Sequence, residues 1–507
     1  MTRSTMIRRP IGWFVAVVLT LGTTAVAQHA GTLPAGTQET SDTVALPLTT
    51  KSPQARHIVE EAMNLYLDKV EQANSIELLR AGLKIDPEFA MGHEFLAWVS
   101  LDPAEQVREQ AGAFANRTHA STPEQLVIEW CQDSADHNLI SAITKMNEVL
   151  AQYPHDKWVV WMATWWLTQE TQYERSIDIY EHSGLTDNPG LMNNAGYNYA
   201  YIRQFDKAFA LMDKYVAALP KDANPQDSYA EILRMAGRYD RAVEHYRASL
   251  AIDPEFYSSQ FGIADTYSLM GDQVRARREY LTGFQKFSLP ELHRILWQTR
   301  EATTYVREGD YDGADKAFQA VADYGHAHQM SQVEADVYRQ MALYQPDAKR
   351  ALGLLDQADA ALQGGANAQP AAIQQEQAQL LRARVELALK LDDKSVALSA
   401  MMKLGEMSQK SNDKLIETAY EGAAGAAAFS DHQYKIAIPH LQEDTDNPLS
   451  LKLLAEAYEK TKDHVSAKRT LEVLADFSDP TLEQALVVPP FRKCFQDRAC
   501  SAKMALK

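Results

Sequence analysis

The 507-residue sequence lacks the local signatures of the common catalytic sites. It contains no GxxxxGK nucleotide loop, no HExxH zinc motif, no GxSxG nucleophile turn and no CxxC pair. His326 and His328 lie close together near a predicted helix end, but no acidic or cysteine residue accompanies them as a metal ligand would. We therefore expect no catalysis, no cofactor and no bound metal.

The sequence also lacks positive charge. Its 50 Lys and Arg residues stand against 68 Asp and Glu residues, which gives a net charge of −18 and a pI near 5.3. Nucleic-acid binding normally depends on a basic face, and so does electrostatic attachment to an anionic membrane surface. The composition argues against both kinds of partner.

Cysteine is scarce, with three residues in the chain. Cys131 falls on an apolar helix without an evident partner, so we expect a buried free thiol. Cys494 and Cys500 frame the segment CFQDRAC and could form a disulfide in an oxidising compartment. Two free thiols in a frayed tail are the alternative.

The N terminus has the pattern of a secretory signal peptide. Three arginines precede the apolar stretch Ile11–Leu21, and Ala25 and Ala27 supply the small residues that signal peptidase requires. We expect cleavage after Ala27, a periplasmic or secreted protein, and no membrane span after cleavage; an uncleaved anchor helix is the alternative. Residues 28–54 are rich in Thr, Ala, Gly, Ser and Pro without helical periodicity, which predicts a flexible leader.

From Pro53 onwards, apolar residues recur at helical spacing, and the pattern repeats every 34 residues. Small residues that allow two helices to approach closely alternate with large residues that fill the space between pairs. Six sets of residues recur at this 34-residue spacing, and each set is called a column: Ala208, Ala242 and Ala276; Met212, Tyr246 and Tyr280; Tyr199, Leu233 and Tyr267; Gly196, Ala230 and Ala264; Gly237 and Gly271; Pro220 and Pro254. One helix pair cannot bury its apolar face alone, so the pairs must stack.

This pattern resembles the tetratricopeptide repeat, most closely in GYNYAYIRQFDKAFALMDKYVAALP and EILRMAGRYDRAVEHYRASLAIDPEF. The resemblance implies an all-α, right-handed solenoid of about 11–12 antiparallel helix pairs whose concave groove binds peptides or partner segments. It divides the chain into an N-terminal solenoid (55–362), a loop or joint (363–377), degenerate C-terminal units (378–481) and a capping tail (482–507). The weakest match is the unit at 89–122.

Four of the eight tryptophans fall in HDKWVVWMATWWLTQETQY. With Pro154 ending one unit, Lys157 becomes the first position of the next. Three rings then lie opposite the helix's packing face, on the side that lines the groove in the tetratricopeptide family: Trp158, Trp161 and Trp165. Trp166 lies off this stripe and is predicted to pack. A shift of two residues would instead place the three rings in the core.

The same positions downstream predict the rest of the groove: Asn193, Tyr197, Tyr201, Asp227, Glu231, Arg234, Phe261 and Asp265. This wall is aromatic at one end and acidic at the other, which favours a basic partner segment. The alternative is that the carboxylates are merely solvated. Gly422 and Gly425 are predicted to allow close packing of helices rather than to serve chemistry.

The sequence therefore favours a non-catalytic scaffold of the bacterial envelope that holds a protein or peptide in its groove. A carbohydrate-binding protein that uses the tryptophans as a stacking platform is the alternative, and an enzyme is a third possibility. Fold class by itself does not choose among them.

Overall fold

The structure is a computed structural model that describes residues 45–69, 71–100, 102–136, 138–363, 370–411 and 413–496. The predicted signal peptide, the first part of the leader and the middle of the predicted joint lie outside these residues. So do Cys500 and the side chain of Cys494, and their disulfide stays a prediction.

The described residues form 25 α-helices and one short 3-10 helix, and they contain no β-strand. The helices are α1 (Pro53–Lys69), α2 (Gln72–Ile85), α3 (Ala90–Val99), α4 (Pro103–Asn116), α5 (Thr122–Ala135), α6 (Leu139–Gln152), α7 (Lys157–Gln169), α8 (Tyr173–His182), α9 (Pro189–Tyr201), α10 (Phe205–Ala218), α11 (Asn224–Met235), α12 (Tyr239–Ile252), α13 (Tyr257–Met270), α14 (Gln273–Lys286), α15 (Glu291–Glu308), α16 (Tyr311–Ala327), α17 (Ser331–Tyr344), α18 (Ala348–Gln363), α19 (Pro370–Lys390), α20 (Lys394–Lys410), α21 (Lys414–Ser430), α22 (Tyr434–Gln442), α23 (Pro448–Lys460), α24 (His464–Ala475) and α25 (Leu482–Gln496).

Consecutive helices pair from α1 with α2 to α9 with α10 and from α15 with α16 to α23 with α24, and α25 follows the last pair. The predicted all-α fold of paired helices is confirmed, and the weakly matching repeat at 89–122 also forms a pair, α3 with α4. The small-residue column marks the close contacts between helices: a Cβ atom added to Gly196 of α9 would clash with Met212 of α10.

The turn between the two helices of a pair uses left-handed backbone. Gly237 and Gly271 have φ values of 71° and 92°, and Arg203 takes the same conformation with φ 63° one repeat earlier. Glycine adopts this conformation without the steric cost that a Cβ imposes, which explains why it recurs in this column. The turn sends the second helix back along the first and so fixes which face of each pair meets its neighbour.

The chain divides into two compact units. The N-terminal unit comprises the described residues up to Leu233 together with Glu244–Ser259, and its first helix, α1, packs on α7 and α9 as well as on α2. The C-terminal unit comprises Arg234–Val243 and the residues from Gln260 onwards. There α25 packs on α23 and α24, where a capping tail was predicted, and also on α15.

The ends of two predicted loops differ from the structure. The leader was predicted to remain flexible through residue 54, but residues 45–52, which form no helix or strand, are hydrogen-bonded to the N-terminal unit, and α1 begins at Pro53. The joint was predicted to reach residue 377, but α19 begins at Pro370. Proline suits the first turn of a helix because its missing N–H has no intrahelical acceptor there.

The packing confirms the predictions for Cys131, Gly422 and Gly425. Cys131 is a buried free thiol. A Cβ atom on Gly425 would lie 2.6 Å from the side chain of Leu441, and one on Gly422 would lie 2.7 Å from the guanidinium carbon of Arg382. None of the helices described here is both long enough and apolar enough to cross a membrane.

Candidate partner-binding site

The first helices of the N-terminal pairs bring six aromatic side chains into one aromatic cluster. Its members are Tyr66 of α1, Trp98 of α3, Trp130 of α5, and Trp161, Trp165 and Trp166 of α7. Phe95 of α3 and Trp158 of α7 also meet edge-on, with 5.8 Å between the ring centroids. Trp98 is central, with its ring centroid 6.2, 5.8 and 5.7 Å from those of Trp130, Trp161 and Trp165. Tilted and edge-to-face pairs at these distances are favourable beyond the area that they bury.

The chain's own first helix covers part of this cluster. Tyr66 meets Trp161 edge-on with 5.2 Å between the ring centroids, and Trp161 is only 5% exposed. Asp68 fixes the end of α1, because it accepts hydrogen bonds from Lys157 Nζ at 2.9 Å and from Asn188 Nδ2 at 2.8 Å. These two residues lie at the starts of α7 and α9, so α1 is held across both helices.

A buried carboxyl group lies against the aromatic cluster. Glu94 is 1% exposed, and its Oε1 accepts a hydrogen bond from Trp98 Nε1 at 3.0 Å. Its Oε2 has no hydrogen-bond partner among the described residues. Burial raises the pKa of Glu94 to about 7. Burial and the neighbouring Glu94 carboxyl group also raise the pKa of the Cys131 thiol well above its usual value.

This carboxyl group predicts a pH dependence of stability. The folded chain keeps Glu94 protonated up to about pH 7, whereas the unfolded chain loses that proton near its ordinary pKa of 4.5. The stabilisation is therefore fully present below pH 4.5 and is lost as the pH rises through 7, with a ceiling of about 3 kcal/mol. Urea titrations at pH 5 to 8 give the free energy of unfolding at each pH. This free energy should fall less steeply with rising pH in Glu94→Gln than in the unchanged protein. The same pH dependence in both proteins would contradict a raised pKa for Glu94.

Residues 45–52, a segment without helix or strand (the N-terminal arm), bind across the starts of first helices. The backbone N–H of Leu46 donates to Asp156 Oδ2 at 2.9 Å, and that of Thr49 donates to Glu124 Oε1 at 2.7 Å. Asp156 is the N-cap of α7, and Glu124 lies in the first turn of α5. Both carboxylates also accept hydrogen bonds from backbone N–H groups of their own helix or its cap. These hydrogen bonds fix the positions in which the carboxylates meet the arm.

A third carboxylate continues the series. Asp86, between α2 and α3, accepts hydrogen bonds from the Thr50 hydroxyl and from the backbone N–H of Lys51. Burial opposes ionisation of Asp86, but these hydrogen bonds outweigh it and hold its pKa below the usual value. Arg56 of α1 donates in turn to the Leu48 carbonyl at 2.8 Å.

The arm has the features of a bound peptide. Leu46 and Leu48 are buried while Ala45 and Thr49 are exposed, which is the alternation of an extended chain. Three residues of extended chain span about 10 Å, close to the roughly 8–10 Å between packed helices. An extended segment can therefore present one backbone N–H to each successive first helix.

A second charged group lies in the C-terminal unit. Asp265 of α13 is 2% exposed and accepts hydrogen bonds from Arg300 and from the Tyr280 hydroxyl, with Arg234 Nη1 3.5 Å away. Burial and the adjacent Asp265 carboxylate raise the pKa of Tyr280 well above its usual value. The arginines thus balance the charge of the Asp265 carboxylate inside the unit.

The spacing of the second helices along the chain identifies the architecture. The second helices α10, α12 and α14 begin at Phe205, Tyr239 and Gln273, 34 residues apart, and the alanine column at Ala208, Ala242 and Ala276 is fully buried. The fold is that of a tetratricopeptide-repeat protein. No protein-family model matches the chain, and no curated protein matches it.

Solved structures similar to the chain include two that are described as tetratricopeptide-repeat proteins. Yeast Tom70 shares 12% identity over 89% of this chain and 95% of that chain, with a TM-score of 0.38. A tetratricopeptide repeat protein from Parabacteroides merdae shares 13% identity over 61% of this chain and 100% of that chain, with a TM-score of 0.34. YrrB, a TPR protein with an unusual peptide-binding site, shares 12% identity over 41% of this chain and 96% of that chain, with a TM-score of 0.26.

Five of the predicted groove residues are buried, so their predicted exposure is wrong: Trp161, Asp227, Arg234, Phe261 and Asp265. The covering groups lie within the protein. Tyr66 covers Trp161, and Phe261 stacks on Trp297 with 4.0 Å between the ring centroids. Because Asp265 is paired with arginines, the predicted acidic end gives no support to a basic partner.

The other six predicted residues are half-buried: Trp158, Trp165, Asn193, Tyr197, Tyr201 and Glu231. The structure brings several of them together, since Tyr197 Oη donates to Glu231 Oε2 at 2.8 Å and the Tyr197 and Tyr201 rings lie 6.4 Å apart. Their binding of a partner stays a prediction. Trp166 packs as predicted, with its Nε1 donating to Ser134 Oγ at 2.6 Å.

The sequence reasoning missed Tyr66, Glu94, Trp98 and Trp130, together with the N-terminal arm. Trp98 and Trp130 sit on first helices, as the Trp158–Trp166 group does. Extending the repeat register through residues 89–122 would have placed them beside that group. The leucine alternation in ALPL was a usable signal for the arm.

Proposed function

We propose that this tetratricopeptide-repeat protein is a non-catalytic scaffold of the bacterial envelope that holds an extended segment of a partner protein. The segment lies across the starts of the first helices of the N-terminal unit. The N-terminal arm carries this proposal, because the surface already holds a peptide in the required conformation. Three carboxylates take its backbone N–H groups, and two leucines enter the interior.

The division of contacts explains what the surface would select. Hydrogen bonds to backbone N–H groups are available from any sequence, so they contribute affinity without specificity. The buried side chains at alternate positions carry the specificity, and here they are Leu46 and Leu48. A partner segment with the pattern Leu-x-Leu in extended conformation fits this surface.

The location in the envelope rests on the N-terminal sequence. Arginines followed by an apolar stretch and Ala25-Val26-Ala27 have the order of a cleaved signal peptide. Cleavage after Ala27 would leave residues 28–44 ahead of the arm. N-terminal sequencing of the protein from the periplasmic fraction should begin at Gln28, and recovery of intact chain in the cytoplasmic fraction would contradict the location.

Binding of the arm peptide in trans tests the proposed function. A labelled peptide ALPLTTKS, residues 45–52, is titrated into the intact protein and into the double variant Leu46→Asp/Leu48→Asp, which should release the tethered arm. A tethered segment acts at a concentration on the order of 1 mM. If the released surface binds the peptide with a Kd on the order of 10 µM, the intact protein should bind it roughly 100-fold more weakly.

Two controls separate displacement of the arm from general disruption. Ala45→Asp adds a charge at an exposed position of the arm and should behave as the intact protein does. A peptide with aspartate at both leucine positions should not bind the double variant. Equal binding of the two peptides, or no binding to a double variant that remains folded, would contradict the proposal.

A further inference from the structure

Thr49 of the N-terminal arm contacts Glu124 with its side chain as well as with its backbone. The Thr49 hydroxyl donates to Glu124 Oε2 at 2.5 Å, beside the backbone hydrogen bond to Oε1 at 2.7 Å. The backbone N–H and the hydroxyl of Ser121 also donate to Oε2, at 2.8 and 2.6 Å. The carboxylate therefore receives two hydrogen bonds from the cap of its own helix and two from one residue of the arm.

Burial makes the Thr49 hydroxyl important to this carboxylate. Glu124 is fully buried while the arm is bound. A carboxylate accepts about four hydrogen bonds, so the donors of Ser121 and Thr49 fill its capacity. A buried acceptor that loses its donor still bears the cost of desolvation, and this cost is larger for a charged group. A bound segment with valine in place of Thr49 would leave Glu124 in that state, because a methyl group would replace the hydroxyl.

The next residue of the arm makes the same kind of contact with another carboxylate. The Thr50 hydroxyl donates to Oδ2 of the buried Asp86, and the backbone N–H of Lys51 donates to the same oxygen at 3.2 Å. The other oxygen, Oδ1, accepts the backbone N–H of Glu88 at 3.1 Å. The Thr50 hydroxyl in turn accepts the backbone N–H of Ser52 at 3.1 Å, which holds it in position toward Asp86.

The charge of Lys51 contributes less to the selection of a segment. Its Nζ contacts the Glu88 carboxylate, but both side chains are exposed. An ion pair between exposed side chains is screened by water and salt, so it adds little to binding. The hydroxyls of Thr49 and Thr50 are therefore the side-chain donors of the arm that meet buried charge.

We propose that the surface selects serine or threonine at each of the two positions that follow the Leu-x-Leu pattern. This inference rests on the proposed function and adds the chemistry of the partner, a segment of the form Leu-x-Leu-Ser/Thr-Ser/Thr. Apolar side chains at the two positions would leave Glu124 and Asp86 without a donor. Acidic side chains there would bring like charge against the two carboxylates.

Peptide binding to the double variant Leu46→Asp/Leu48→Asp, which releases the arm, tests this selection. Labelled ALPLTTKS is compared with peptides that carry serine or valine at both threonine positions. The serine peptide keeps both hydroxyls and should bind within about threefold of ALPLTTKS. The valine peptide should bind about 100-fold more weakly, or about tenfold for each hydroxyl lost. Glutamine in place of the lysine should change the affinity by no more than about fivefold.

Substitution of each carboxylate assigns each hydroxyl to its acceptor. Glu124→Gln in the double variant keeps an acceptor for the capping box of α5, because glutamine also serves at that position, but it removes the buried charge. This variant should discriminate less against valine at the first threonine position and keep its discrimination at the second. Asp86→Asn should have the reverse effect, and the two cycles separate the two contacts.

A second measurement uses the tethered arm and does not require the leucine substitutions. Thr49→Val/Thr50→Val should loosen the arm, so labelled ALPLTTKS should bind this chain roughly 50-fold more tightly than it binds the intact protein. Thr49→Ser/Thr50→Ser should behave as the intact protein does. Equal affinity of the valine and threonine peptides for the released surface would overturn the selection of hydroxyls and leave the proposed function in place. No binding of ALPLTTKS to a folded double variant would overturn both.

Discussion

Replacing Trp161 with alanine lowers the free energy of unfolding by about 3–5 kcal/mol. The indole is 5% exposed and is packed against Tyr66, Trp98 and Trp165 from three different helices. Its removal leaves a cavity that α1 cannot fill, because Asp68 holds the end of that helix at Lys157 and Asn188. Urea unfolding followed by far-UV circular dichroism measures the loss.

Trp165→Ala is the matched control for this experiment. It removes the same side chain from the same helix, but Trp165 is half-buried. We expect a clearly smaller loss, about 1–2 kcal/mol, because less area and less volume are removed from the interior. If both variants kept nearly full stability and lost only partner binding, Trp161 would be an open groove residue and the packing described above would be wrong.

Asp265→Ala should also cost about 3–5 kcal/mol. The substitution leaves the buried Arg234 and the half-buried Arg300 without the carboxylate between them, and the Tyr280 hydroxyl loses its acceptor. Chemical denaturation of the full chain gives the measurement. Adding Arg300→Met to Asp265→Ala should recover part of the loss, because one of the stranded charges is then removed.

A surface carboxylate provides the comparison for Asp265. Asp323 of α16 is exposed and accepts a hydrogen bond only from Gln319 among the described residues. Asp323→Ala should change stability by no more than about 0.5 kcal/mol. A similar small change for Asp265→Ala would show that its arginine partners are solvated, and the burial argued here would not stand.

The repeat in the sequence predicted the helix pairs because the pairs are a local property. The spacing of Gly196, Ala230 and Ala264 reports where one helix contacts the next, and this column is buried in three successive repeats. Helix ends were also readable where proline or glycine marks them, as at Gly237 and Gly271. The repeat therefore predicted the helix pairs, and the resemblance to the tetratricopeptide repeat supplied the rest of the architecture.

The candidate site depends on contacts that the repeat does not encode. The register of the repeat predicts which face of α7 packs within its own helix pair. It does not predict that α1 packs over the other face. Leu46 and Asp156 are 110 residues apart in the chain, and Arg300 is 35 residues from Asp265. The groups that cover Trp161 and Asp265 therefore could not be predicted from the register.

The binding of the N-terminal arm is the claim on which the proposed function depends, and amide hydrogen exchange tests it most directly. The backbone N–H groups of Leu46 and Thr49 should exchange at least about tenfold more slowly in the intact protein than in Leu46→Asp/Leu48→Asp, because carboxylates hold them in the folded state. Exchange of both amides at the rate of a free peptide in the intact protein would show that the arm is not bound, and the proposed peptide surface would lose its support.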